Sequence, residues 1–209
     1  MDNSSMQEEL LPLFPLAVVL LPRTELPLHI FEDRYKEMIS LVLERRMEFG
    51  VVLTAGDGIA STGCTAAVEQ VVKQYPDGRM DILTVGLRRF VIRELNQDRD
   101  YLRGAVDFFD DNDSASPLDL RKRAAKICSR IPGPEDPDIE DPQLSFHLAE
   151  RITDLEFRQQ LLIMRSEADR LRKLVDYVPT YVERVAQVEK LKALAPQNGF
   201  GKPPAKLAE

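Results

Sequence analysis

Residues 10–39 read LLPLFPLAVVLLPRTELPLHIFEDRYKEMI, and this stretch decides the fold. It is crowded with apolar residues, yet Pro12, Pro15, Pro22 and Pro27 punctuate it. Each proline removes an N–H donor and clashes with the preceding turn, which excludes a helix at that spacing. Each also pushes its predecessor toward extended geometry. Short extended segments are therefore expected over 11–14, 17–20 and 26–31. Beyond Phe31 the period changes. Tyr35, Met38, Ile39, Val42 and Leu43 recur at three- and four-residue steps, the mark of a helical face over about 33–46. Glu32 and Asp33 stand in its first turn, where acidic groups suit the helix dipole.

Working outward, 48–54 (EFGVVLT) reads as a buried strand and 55–63 (AGDGIASTG) as a glycine-containing loop. Two extended runs, 66–75 and 79–95, flank Pro76-Asp77-Gly78. Proline pre-sets φ in such a turn and glycine accepts a positive φ, so a hairpin is expected. Met80, Ile82 and Thr84 alternate with Asp81, Leu83 and Val85 on the return strand, and Gly86 suggests a bulge or bend. A further strand is expected over 101–109. The acidic, serine-rich joint 110–117 separates a β-rich part, 10–112, from a helical part, 113–195. Ser116 is expected to cap a helix with Pro117 at its first position, turning Leu120, Ala124, Ile127 and Ile131 inward. The segment 132–142 is rich in proline and acid and reads as a solvated loop. Leu144, Leu148, Ile152 and Leu155 form a second helical stripe. Leu161, Met164, Ala168, Leu171 and Val175 form a third, ended or kinked at Pro179, after which Val182, Val185, Val188 and Leu191 continue helically. Residues 1–9 and 196–209 read as a disordered lead and tail.

Two motifs carry a family resemblance. The segment LPLFPLAVVLLPRTELPLHIFEDRY resembles the opening of the amino-terminal substrate-recognition domain of Lon proteases, with Pro27, Leu28, His29, Ile30, Phe31, Glu32, Arg34 and Tyr35 on its pattern. The segment GCTAAVEQVVKQYPDGRMDILTVGLRRFVI resembles the same domain again, through Gly63, Val68, Glu69, Pro76, Asp77, Gly78, Arg79, Gly86, Arg88, Arg89, Phe90 and Ile92. The resemblance runs over about 10–195. It implies an α+β fold: a mostly antiparallel β-barrel of the pseudouridine-synthase-and-archaeosine-transglycosylase (PUA) type with one or more helices, then a C-terminal helical bundle. Full-length Lon proteases add an ATPase module and a Ser/Lys protease module. Neither fits within 209 residues and neither motif is present.

Composition narrows the class further. Lys and Arg number 28 against 35 Asp and Glu, giving a net charge of −7. That balance disfavours a nucleic-acid partner. The opening MDNSSMQEEL lacks the basic and apolar regions of a signal peptide. The apolar run 10–21 is too short and too rich in proline to span a bilayer. A cytoplasmic location with no membrane association is expected. Cys64 and Cys128 are the only cysteines and lie far apart, so neither a zinc site nor a disulfide framework is expected.

Several motifs mimic chemistry. Gly58-Ile-Ala-Ser-Thr-Gly63-Cys64-Thr65 matches a P-loop except that Cys64 stands where lysine would reach the β- and γ-phosphates. It also leads into a strand. No Gly-x-Ser-x-Gly elbow is present. His29 and His147 are the only histidines, and His29, among apolar neighbours, reads as a packed residue. Glu32, Arg34, Arg88 and Arg89 read as structural ion pairs. No catalytic, metal or cofactor-binding residue is assigned, and no cofactor is expected.

The expected function is non-catalytic recognition of protein substrates or partners, in particular unfolded or apolar segments. Alternatives of other classes are an RNA-binding PUA-like module, which the charge opposes, and a small-molecule-sensing adaptor. The expected contact residues are Pro22, Leu26, Pro27 and Leu28, with a second candidate in the groove between the β-rich and helical parts. Prolines keep N–H groups out of ladders, while the leucines offer apolar contact or close the barrel. Phe31 and Phe90, one in each motif, are expected to be buried.

Overall fold

The structure, a computed structural model, describes residues 10–112, 116–133 and 137–194. The expected lead, 1–9, and tail, 196–209, lie outside these residues. The strands are β1 (Leu11–Leu16), β2 (Glu25–Ile30), β3 (Phe49–Ala55), β4 (Gly58–Gln74), β5 (Met80–Asn96) and β6 (Arg103–Phe109). Helix α1 (Asp33–Arg45) follows β2, and α2 (Leu118–Cys128), α3 (Leu144–Ala149), α4 (Leu155–Ile163) and α5 (Glu167–Leu194) follow β6. The chain is thus a mixed α+β fold.

The six strands form one sheet in the order β2-β5-β4-β3-β1-β6, with a further pairing of β5 to β6. The pairings therefore return on themselves through β5-β4-β3-β1-β6, and β2 branches from the start of β5. Only β1 and β3 run parallel; the other pairs are antiparallel. Gly78 takes φ 83° in the Pro-Asp-Gly turn, a conformation that favours glycine. Gly86 is where segment 20–24 is laid against β5. A Cβ there would stand 2.2 Å from the Leu21 carbonyl oxygen, and its N–H and carbonyl hold Thr24 and Arg23 at 2.9 and 2.7 Å.

Inside the ring of pairings, Phe90 packs with Leu11, Leu13 and Val52. A larger core runs from Phe14, Tyr35, Met38 and Ile82 through Leu144 and Leu161 to Val178. It is shared by the sheet, α1 and the later helices, because each presents one apolar face and none can bury it alone.

Several expectations are corrected. Residues 17–18 form a bend and 19–20 are irregular rather than a strand, and 58–63 belong to β4, so the expected loop shrinks to a tight turn at Gly56-Asp57. Pairing of Gly58 and Ile59 with Ala55 and Thr54 of β3, and of Thr62 and Gly63 with Val91 and Phe90 of β5, holds this segment as strand, where glycine content alone suggests a loop. Leu43 lies at the exposed edge of α1. Pro117 occupies the N-cap of α2, and Ser116 accepts a hydrogen bond from Arg121 instead of capping. The second stripe divides between α3 and α4, and the third between α4 and α5. Asp154 caps α4 by accepting from the Phe157 N–H, a side chain that favours a helix start over a continuous helix. Helix α5 runs through Pro179 without ending.

Phe31 is the main correction: it is 59% exposed, whereas Phe90 is fully buried. Strand alternation explains the difference. Leu26, Leu28 and Ile30 turn toward the core, so Glu25, Pro27 and His29 turn outward. Phe31 follows where the chain leaves the strand for α1, and its ring stays with the outward His29.

Candidate protein-binding surface

The outer face of β2 and the tip of the β4–β5 hairpin form one surface. Register places His29 opposite Asp81, Pro27 opposite Leu83 and Glu25 opposite Val85. Phe31 stacks on the His29 ring with centroids 5.8 Å apart, and Tyr75 meets the same ring edge-on at 6.1 Å. Asp81 fixes both partners. Its carboxylate lies 2.5 Å from His29 Nδ1 and accepts the Tyr75 hydroxyl at 2.9 Å. These hydrogen bonds, His29 first and Tyr75 second, hold the Asp81 carboxyl below its ordinary range. Lys73 and Arg79 lie over the Tyr75 ring at 4.4 and 5.0 Å. Val72, on the same hairpin, is 59% exposed.

The surface is supported from behind. Lys36 of α1 donates to the Asp77 carbonyl in the turn, and Asp77 is also bound to Arg79 at 2.7 Å. Among the described residues β2 pairs only with β5, so its other edge is open, and Pro27 contributes no donor to it.

The residues singled out from sequence are divided among environments. Pro27 is exposed on the outer face, the same face as His29. Leu26 and Leu28 are half-buried against the core, and Pro22 is buried. Tyr75 and Val72 escaped sequence analysis. The available signal was an aromatic residue just before the turn on a strand whose preceding residues, 69–74, are mostly polar.

The junction of the β-rich and helical parts holds a buried cluster of charges. Arg170 is fully buried there, between Glu167 at 2.8 Å and Asp111 at 2.5 Å. Arg89 reaches the same Asp111 at 2.6 Å. Burial pushes the Asp111 carboxyl up, but the hydrogen bonds and charges of Arg170 and then Arg89 outweigh it and the net shift is down. Phe146 lies beneath both guanidiniums, 5.4 Å from Arg89 and 4.3 Å from Arg170.

A cleft of about 750 Å³ opens between α4 and α5. Phe157 and Tyr177 stack along it with centroids 3.7 Å apart. The Tyr177 hydroxyl donates to Asp154 at 2.5 Å, and Arg184 closes the set at 3.0 Å from the same carboxylate.

Neither cysteine has reactive surroundings. Cys64 and Cys128 are buried, and burial pushes both thiols up to about 12. Cys64 lies within β4, not at a helix N-terminus, so the P-loop match has no phosphate cradle. Among the described residues no group of three His, Cys, Asp or Glu is placed to hold a metal ion, and no helix is long and apolar enough to cross a membrane.

Two solved structures share this fold. The Lon N-terminal domain protein from Xanthomonas campestris superposes with a TM-score of 0.66 at 23% identity, covering 81% of this chain and 98% of its own. The N-terminal domain of the Mycobacterium avium complex Lon protease gives 0.63 at 16% identity, covering 82% and 98%. Residues 10–183 match the sequence profile of the ATP-dependent protease La (LON) substrate-binding domain. Since that match spans most of its length, the chain belongs to the family of LON substrate-binding domains.

Proposed function

We propose that this chain recognises protein substrates or partners through extended, apolar segments, and that it does so without chemistry of its own. Family membership supports the recognition role. The observation that carries the choice of surface is the exposure of Phe31. A large aromatic ring at a family-motif position stands in solvent, stacked on His29, whose ring Tyr75 also meets.

The physical requirement for holding an extended segment is apolar area joined to directed polar groups. Phe31 and the Tyr75 ring supply the area. The open edge of β2 offers backbone groups to an added strand, and Pro27 restricts how much of that edge can pair. Leu26 and Leu28 lie half-buried behind it and become contacts if a ligand inserts at the edge. Binding is expected to be micromolar, because a mobile chain must be ordered.

In finer detail, we take the ring of strand pairings as a PUA-like barrel, the helices after β6 as a bundle, and the division as falling near 112/113. A cytoplasmic setting suits the same reading. The test is titration of a reduced, alkylated and permanently unfolded protein against the chain and its Phe31→Ala variant. A loss of about tenfold in affinity with unchanged thermal stability supports the reading. Equal affinity overturns this surface.

A further inference from the structure

The α4–α5 cleft carries an inference that rests on the protein-recognition reading and deepens it. Its charges do not cancel internally. Asp154 and Arg184 are paired with each other and with the Tyr177 hydroxyl. Asp154 is occupied further by the Phe157 N–H. Glu156, at the start of α4, and Asp176, on α5, line the same cleft, and neither has an ion-pair partner among the described residues. Of the two cations in the lining, Arg184 is taken up by Asp154, and Lys173 lies toward the Phe157 ring at 5.9 Å. Two unpaired carboxylates thus face one lysine, and the chain as a whole carries −7.

Apart from Gln160, the rest of the lining is apolar or aromatic. The stacked Phe157 and Tyr177 rings and Met164 border the same space. A lysine or arginine side chain matches this combination. Its methylene stem packs along rings and thioether while its charged head stays near water and carboxylate. A guanidinium also stacks on an aromatic face. An acidic side chain would lose the stem contact and meet Glu156 and Asp176. The volume of about 750 Å³ falls within the range of sites that take a drug-sized group, so part of a peptide fits.

We infer that the α4–α5 cleft is a second contact site for bound protein, selecting a lysine or arginine side chain within an apolar segment. It is separate from the Phe31 surface, since its lining belongs to the helical part.

The test uses a fluorescein-labelled peptide series of one apolar sequence of Ala, Leu and Phe, with Lys, Arg, Gln or Glu at the centre. Anisotropy titrations compare the full chain with Glu156→Gln/Asp176→Asn and Glu156→Lys/Asp176→Lys. Glu156 and Asp176 are exposed, so the fold should survive, which circular dichroism checks. The expected result is a three- to tenfold preference for Lys and Arg over Glu, the size that two partly exposed charge contacts supply. The preference should shrink in high salt. It should disappear in the neutral double variant, reverse in the lysine variant and survive in Phe31→Ala. Peptides that bind without charge preference overturn the cleft while leaving protein recognition standing. A preference that persists in Glu156→Gln/Asp176→Asn also overturns the cleft. If no peptide binds, both readings fall.

Discussion

Asp111 and Arg170 form a two-pronged ion pair, with Nη1–Oδ1 2.7 Å and Nη2–Oδ2 2.5 Å, across the seam between the end of β6 and α5. Arg89 of β5 binds the same carboxylate, so one acid joins two buried cations that come from opposite sides of the seam. Removing it leaves both guanidiniums short of charge in a dry place. Asp111→Ala should therefore cost about 3–5 kcal/mol in urea denaturation. A loss below about 1 kcal/mol would mean that water or Glu167 already compensates.

The same carboxylate sets an acid limit. Its folded pKa is depressed below the ordinary 3.8. A depressed carboxyl contributes stability that is present above the unfolded value and lost as pH falls toward the folded value. The difference in unfolding free energy between the parent chain and Asp111→Asn should thus be constant from neutral pH to about pH 5 and shrink below about pH 4. His147 acts in the opposite sense. Donation of a hydrogen bond from its ring to the Glu150 carboxylate raises its pKa, burial opposes this, and the charge of Asp141 adds to the rise. A raised histidine contributes stability fully present below about pH 6.5 and lost as pH climbs through the folded value. The parent should exceed His147→Gln at pH 6 and lose part of that advantage by pH 8.

Phe90 and Phe31 separate core from surface within the two family motifs. Phe90→Ala should cost about 3–5 kcal/mol, because the ring fills the space between Leu11, Leu13 and Val52. Phe31→Ala should cost less than about 1 kcal/mol, since most of the ring is already in water. Chemical denaturation of both variants decides. Equal losses would place Phe31 in the core.

The thiols should be silent. Cys64 and Cys128, each pushed up to about 12 by burial, should resist a thiol reagent at pH 8 until the chain unfolds. The purified chain should neither bind nor hydrolyse ATP, because the segment ending at Cys64 is strand and lacks the lysine. Prompt labelling of Cys64, or turnover lost in Cys64→Ala, would contradict this.

Much of the fold was readable because local chemistry agreed with the final packing. Pro76-Asp77-Gly78 names its own turn, and Tyr35, Met38, Ile39 and Val42 repeat at the helical period. What escaped lay where tertiary contacts decide. Arg89 reads as a structural ion pair from its motif, but its partner Asp111 and the buried Arg170–Glu167 pair have no local signal, since nothing in the sequence announces that these groups meet in the interior. The break between α3 and α4 depends on Asp154 capping a new helix while the apolar spacing continues across it. Phe31 reads as core from its place in the family motif, and only the strand's alternation, carried one residue past its end, turns it outward. Pro22, Leu26, Pro27 and Leu28 were chosen as one loop. Three of them belong to an edge strand, and alternation sets Pro27 on a different face from the two leucines.

The central claim, recognition of an extended protein segment at the Phe31 surface, is tested most directly by amide hydrogen exchange with and without a saturating unfolded polypeptide. Slowed exchange should concentrate in residues 25–32 and 71–81, with further slowing in 154–164 and 173–184 when the polypeptide carries lysine or arginine. Slowed exchange confined elsewhere, or none at a concentration where binding is established by titration, would contradict it.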